Sequence, residues 1–477
     1  MEDEDFEDDL TAIRSWLTLA SSVAIDMASS DEDTDDKRKI DHRKLPRSKR
    51  TLFKHQEALN CINRDYLGPQ PLFDDKQFEL MFRISPQRFQ RLMEDIGNSN
   101  FEETKFYINN KSASGMVGAA LQAKLLLPLK CLAYGVPAHA FRDYFQMSQT
   151  LARECCFKFD QTIHKLYEHE YLRLPTPADL KAITKLHKMA HEVDGMFGSL
   201  DCCHTFWKNC PMGWQGSFQG KEGKPSIVLE AITDYHLWFW QVSYGYAGTL
   251  NDLNILNLSP FLQSLLDGRF EGLEAEAGVV PYNIAGSNFS RLFVLVDGIY
   301  PKYSRFVRGF KEPTNQAEQY YTRWQEGARK DVERAFGVLQ AKFQFIARPI
   351  HLHHLKDIAN RVASCIILHN MCVADRVMGG DVYATYTPSA TVEETSIEEA
   401  VEQPEDLLLV QQQQQQQQQH EPPEDDDDGG AGIGVSNSPT AIQNFIVTNA
   451  RTRFKALRNK EDHNKLLSAL IRLKTNY

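Results

Sequence analysis

Apolar residues follow different rhythms along the chain. From Phe53 to residue 192 they recur at three and four, with stripes over Phe78–Ile96, Ala119–Tyr134 and Leu151–Leu166. That spacing turns one face of an α-helix toward a core. From residue 193 short runs rich in β-branched and aromatic residues take over: Ile227–Thr233, Leu237–Val242 and Leu292–Val296. These predict buried strands, and Asp234-Tyr235-His236 between the first two predicts a hairpin. Helical spacing returns in Val332, Phe336, Leu339 and Phe343. Residues 1–52 and 379–440 have no rhythm at all and predict disorder, the second around nine consecutive glutamines, Gln411–Gln419. A last helix is expected within 441–477, with Leu466, Leu467, Leu470, Ile471 and Leu473 among basic residues. Docking on the body and self-association into a homo-oligomer are both open to it.

Over residues 193–378 the order is three strands, a helix, a strand, then helices. With a parallel strand after the crossover, that order predicts an α/β layered domain of ribonuclease-H type. Residues 53–192 form an all-helical region before it. Within that region Gly135-Val136-Pro137 separates two helices, and Ser148 is placed to cap the second. This outlines a helix-turn-helix whose second helix carries Gln149, Arg153 and Lys158 outward, toward a DNA groove. A plain helical bundle has the same outline.

Charge changes the picture. The net −11 is lopsided. Residues 1–36 carry net −12 and residues 392–428 net −13, which leaves +14 on the rest. A basic body between acidic tails suits a polyanion. Eight Lys or Arg stand among the fourteen residues Lys37–Arg50, a candidate nuclear-localisation or nucleic-acid patch beside the bland reading of a solvated charge run. No apolar run is long enough for a membrane span, and the start, Met1–Asp5, lacks signal-peptide character. The nine cysteines and the absent export signal predict a reduced, intracellular protein.

Three acids stand out as candidate chemistry: Asp201 in the first strand, Asp297 at the exit of Leu292–Val296, and Glu333 on the flank of the Val332 stripe. Carboxylates suit Mg²⁺ or Mn²⁺, and strand ends plus a helix edge can bring distant acids to one cation. Asp252 reads first as a helix N-cap or first-turn acid, the cap favoured, and second as a group near the metals. Lys208, Arg329, Lys330 and Arg334 are candidate phosphate contacts; their bland reading is a solvated helix face. Cys202, Cys203, His204 and Cys210 do not make a zinc site, because strand neighbours point to opposite faces and no paired CxxC exists.

Five ordered blocks carry a resemblance. They are Gly198–His204 with Trp207–Pro211, Asn251–Leu256 with Ser259-Pro260, Val296–Pro301, Ala328–Gln340, and Ile367–Met371. Together they resemble the Harbinger transposase-derived nucleases, the plant-transposon-type branch of the DDE superfamily. The resemblance implies a ribonuclease-H-like DDE catalytic domain with Asp201, Asp297 and Glu333 as catalytic, metal-binding triad. It implies a DNA endonuclease or transposase that leaves 3′-hydroxyl ends, double-stranded DNA as substrate, and a separate Myb-like DNA-binding partner. Nuclear as well as cytoplasmic localisation follows from such a substrate. The rival expectation is a domesticated, non-cleaving DNA-binding or scaffold protein that retains the fold.

Overall fold

A computed structural model of the protein describes residues 53–108, 117–378 and 452–475. The acidic N-terminal segment with its basic run, and the glutamine-rich segment, lie outside these residues.

Among the described residues seven α-helices come first: α1 (His55–Ile62), α2 (Asp75–Phe82), α3 (Pro86–Asn98), α4 (Glu102–Ile108), α5 (Leu121–Tyr134), α6 (Gln149–Tyr171) and α7 (Pro177–His191). The single stripe expected over Phe78–Ile96 is broken in two. Arg83 takes the left-handed conformation at φ 66°, and Ser85 accepts from the Arg88 amide to start α3, with Pro86 at its first position. Proline disfavours helix in the residue before it and suits the first helical turn, so the apolar period survives while the helix does not. Ser148 caps α6 as expected, through its hydroxyl and the Leu151 amide at 3.1 Å. The helix runs on to Tyr171, beyond its apolar stripe.

Next come the strands β1 (Met196–Phe206), β2 (Ser226–Thr233) and β3 (Phe239–Ala247). The helix expected after β3 is α8 (Asp252–Leu258). The section beyond it reads as irregular from its Gly and Glu content but holds α9 (Pro260–Leu266), α10 (Arg269–Glu276) and a hairpin, β4 (Tyr282–Ile284) with β5 (Ser287–Phe289). Two short strands follow, β6 (Phe293–Leu295) and β7 (Phe306–Val307), then α11 (Gln316–Lys342), α12 (Leu355–Met378) and α13 (Lys460–Thr475).

The main sheet has the order β3-β2-β1-β6-β7. β3, β2 and β1 are antiparallel neighbours, whereas β6 lies parallel to β1 and β7 parallel to β6. The chain is thus α/β with a mixed sheet, preceded by a helical region.

Packing ties these parts together. The Asp160 carboxylate of α6 accepts from Arg361 of α12 at 2.9 Å. Asn370 of α12 is fully buried, donates to the carbonyls of Tyr171 and Phe239, and accepts from the Phe239 amide. One side-chain amide thereby satisfies three backbone groups of two other elements, which explains an amide in an otherwise apolar stretch. α13 docks on the body: Leu466, Ala469 and Leu470 share a core cluster with Phe293, Leu295, Val307 and Tyr321. No helix among the described residues is long and apolar enough to cross a membrane.

Candidate metal centre at the strand exits

The parallel pair β1 and β6 sets the site. Ser199 is in register with Leu295. Asp201 and Asp297 each lie two residues further on, Asp201 still within β1 and Asp297 just beyond β6, so the two acids stand at one level of neighbouring strands roughly 4.8 Å apart. Asp297 occupies the turn beyond β6. Its Oδ1 accepts from the Gly298 amide at 2.6 Å, and its carbonyl accepts from the Tyr300 amide at 3.2 Å. Tyr300 is fully buried, and Arg308 donates to the carbonyls of Gly298 and Tyr300. The Asp297-Gly298-Ile299-Tyr300 turn is therefore rigidly based, with an exposed acid at its tip.

Helix α11 crosses this edge. Gln325 is buried and donates to the carbonyls of Val296 and Val307, which pins the helix to the ends of β6 and β7. The Ser199 hydroxyl donates to the Ala328 carbonyl at 3.5 Å, so α11 packs on the face of β1 that carries Asp201. Gln325, Arg329 and Glu333 stand four residues apart, in one stripe along the helix. Arg329 reaches Asp201 Oδ2 at 3.2 Å and Glu333 Oε1 at 2.9 Å. A single guanidinium thus bridges two of the three acids. Burial pushes the Asp201 carboxyl above the usual carboxylate range. The Cys202 amide and Arg329 oppose this, while Asp252 and Glu333 add to it.

The three acids share one rim but do not converge on a point: their oxygens do not all lie within 4.8 Å of one another. The stripe explains why. Gln325 sits at the Asp297 end, Arg329 at Asp201, and Glu333 one turn beyond, an axial span of roughly 12 Å from Gln325.

Asp252 is not the cap. Asn251 caps α8, accepting from the Asn254 amide at 2.8 Å, and Asp252 is the first-turn acid. Its charge acts on Asp201, Glu230 and Tyr300 alike. Glu230 on β2 is a member of this neighbourhood that sequence reasoning missed, since it sits in an apolar run. It pairs in register with Cys202, and neither carboxylate oxygen has a hydrogen-bond partner of normal geometry. Burial pushes its carboxyl up to about 7, with Asp252 adding and the Ser259 hydroxyl opposing.

The proposed phosphate contacts fare unequally. Gln149, Arg153, Lys208 and Lys330 are exposed and Lys158 is half-buried. Arg334 is ion-paired with Asp331 and lies 5.6 Å from the Tyr235 ring centroid. Arg329 faces the acids. Lys208 follows Trp207, whose indole donates to the Leu352 carbonyl at 2.8 Å, and precedes Asn209, which donates to the His351 carbonyl at 2.6 Å. That block clamps a loop and leaves only its lysine outward.

A second constellation lies off the rim. His187 and His191 on α7 and Asp331 on α11 bring one ligand atom each to within 4.8 Å of one another, a group that could bind a metal ion. His191 Nε2 is 2.7 Å from Asp331 Oδ2. Complete burial, and then the His191 charge, hold the His187 imidazole well below its usual basicity. The HxxxH spacing on one helix face was the available signal.

The sequence profile of a family described as plant transposon protein matches residues 169–379, the stretch that contains the sheet, the rim and α11. That stretch of the chain is similar to this family of plant transposon proteins. Among curated proteins, it is similar to Protein ALP1-like of Arabidopsis thaliana, 20% identical over 307 residues, which cover 63% of this chain and 71% of that protein. No solved structure matches the chain significantly.

Proposed function

We propose that the chain is a divalent-metal-dependent DNA nuclease of transposase type, built on a ribonuclease-H-like domain with Asp201, Asp297 and Glu333 as its acids. The observation that carries this reading is the level placement of Asp201 and Asp297 on parallel neighbours, with α11 returning Glu333 to Asp201. A divalent cation fits the donor set. The ligands are oxygen-only, Asp201 is held in its less acidic form by burial and neighbouring carboxylates, and a cationic group already bridges two of the acids.

A bound Mg²⁺ or Mn²⁺ would lower the pKa of an attacking water and stabilise the leaving oxygen of a phosphodiester. The protein's own part is positional. Tyr300 and Arg308 fix the Asp297 turn, Gln325 fixes the phase of α11, and Arg329 offers a guanidinium that can move from the carboxylates to a phosphate oxygen. Exposed Lys208 and Lys330 would meet the flanking phosphates. The helix α6, carrying Gln149, Arg153 and Lys158, would act as the reading helix of a helix-turn-helix. A Myb-like partner and nuclear accumulation belong to the same proposal. The basic run that would direct import lies outside the described residues.

One observation favours a second reading. Arg329 neutralises Asp201 and Glu333, which suits a protein that holds DNA without cutting it. The experiment is cleavage of duplex DNA by the purified chain with Mg²⁺ or Mn²⁺. Metal-dependent nicks ending in 3′-hydroxyls, lost in Asp201→Asn, support the nuclease. Tight DNA binding with no cleavage under either ion supports the scaffold.

A further inference from the structure

His187, His191 and Asp331 lie on the buried side of the helix whose outer side carries Glu333. We propose that they bind one zinc-class transition-metal ion, which fastens α7 to α11. His187 and His191 are one helical turn apart, and their rings are nearly parallel, with centroids 5.6 Å apart and planes 16° apart. Two imidazoles and a carboxylate form the mixed nitrogen and oxygen set that Zn²⁺ takes, whereas Mg²⁺ prefers oxygen alone.

An independent observation points to a ligand. His187 is wholly inaccessible to solvent, and neither ring nitrogen has a hydrogen-bond partner of normal geometry. Buried polar groups are nearly always satisfied, and a metal bond would satisfy this one. Asp331 is likewise wholly buried, and Arg334 pairs with its Oδ1 while its Oδ2 faces His191. A neighbour of that kind orients a ligating carboxylate. His191 and Asp331 line an open cleft of about 530 Å³, which also carries Arg323, Lys330 and Lys474. The cleft gives an ion its way in. Three protein ligands leave a tetrahedral ion one position for water.

The ion would brace the helix that carries Glu333 without taking part in the rim, so the inference stands apart from the nuclease reading. The test titrates the full chain, stripped of metal, with Co²⁺. One equivalent should bind with visible absorption and no thiolate charge-transfer band, a needed control in a chain of nine cysteines. Zn²⁺ should displace it and Mg²⁺ should not. The Asp201→Asn and Glu333→Gln variants should bind as the parent does. His187→Leu should lower affinity on the order of 100-fold while the metal-free melting temperature holds or rises, because a buried imidazole whose one polar neighbour, the Phe197 backbone, is poorly aligned has been replaced by an apolar group. His191→Gln, at the cleft surface, should show the same loss and serves as a second variant. Absence of a bound ion in the parent, a thiolate band, or undiminished affinity in both variants overturns the proposal and leaves an ordinary His191–Asp331 hydrogen bond.

Discussion

Glu333 and Asp331 stand two residues apart on one helix and live in opposite worlds. Glu333 is exposed, held by one arginine on its own helix face, which also reaches Asp201 of β1. Asp331 is fully buried between His191 and Arg334. A step of two residues turns a helix by roughly 200°, so one acid looks outward over the sheet edge and the other toward α7. The difference teaches which acid is free to change partners. An exposed carboxylate can exchange a guanidinium for a cation at little cost. A buried one has its partners fixed by packing, and removing it strands them.

The largest expected effect is on chemistry. Glu333→Gln and Asp201→Asn keep side-chain volume and lose the charge that a divalent ion requires. Cleavage in Mg²⁺ should fall by roughly a thousandfold or more, a barrier change of about 4 kcal/mol. The folded state should be unaffected in urea melts, and Asp201→Asn should if anything be stabilised, since burial already disfavours that charge. Full activity in both variants would remove the rim from consideration.

Glu230 sharpens the same contrast, as an acid that is buried and has no cation beside it. Its folded carboxyl titrates at about 7 against an ordinary value of 4.5. The folded state therefore holds the proton more tightly than the unfolded chain does. The stability this gives is fully present below about pH 4.5, declines as pH rises toward 7, and is gone above it. The 2.5-unit gap corresponds to about 3 kcal/mol. Glu230→Gln should match the parent in acid and exceed it by up to that amount at pH 8, measured by urea unfolding at both pH values. A parent that gains on the variant as pH rises would mean that Glu230 has an ionic partner.

Asp331→Ala should cost about 1–3 kcal/mol in the metal-free protein, because it leaves the half-buried ring of His191 without its partner and removes a buried carboxylate from Arg334. Arg334 is more than half exposed, at 54%, and can be hydrated. Glu333→Ala should change stability by no more than about 0.5 kcal/mol. Thermal melts of the pair in chelator measure the difference directly. Equal effects would mean that the two faces of α11 are not distinct.

Much of this was legible in the sequence, for reasons that can be named. Apolar period located α5, α6 and α11, and the β-branched runs located β2, β3 and β6, because burial of one face governs both patterns. Asp297 stood out as an acid at the exit of an apolar strand, Asp201 as an acid within the first strand and Glu333 as an acid on the flank of an apolar helix stripe. Other features depend on contacts between distant residues, which no local pattern carries. Gln325 reads as a polar helix residue until it is found bonded to Val296 and Val307. Arg329 reads as a phosphate contact until it is found between two acids. α9 and α10 were missed because they are seven and eight residues long and begin at Pro260 and after Gly268, where turn signals mask short helices. The α2–α3 break was missed in the opposite way: the apolar period runs on through Ser85-Pro86, where one helix ends and the next begins.

The smallest stability effect, and the one that decides what the helical region is for, concerns α6. Gln149 and Arg153 are exposed and Lys158 is half-buried, its Nζ 3.2 Å from Gln161 Oε1. The other side of the helix is closed off by Cys155, Phe159 and Ile163 in the core and by the Asp160–Arg361 pair. Replacing Arg153 and Lys158 with Ala should therefore shift stability by no more than about 0.5 kcal/mol. If the outer face meets DNA phosphates, each lost contact lowers the slope of log affinity against log salt by about 0.9. The double variant should then bind duplex DNA with a slope lower by nearly two, and Gln149→Ala should relax sequence preference while leaving the slope alone. Titrations between low and moderate salt measure this without any cleavage. A slope unchanged in the double variant would make α6 a wall of the helical bundle, with DNA held by Lys208, Lys330 and the strand-exit rim instead.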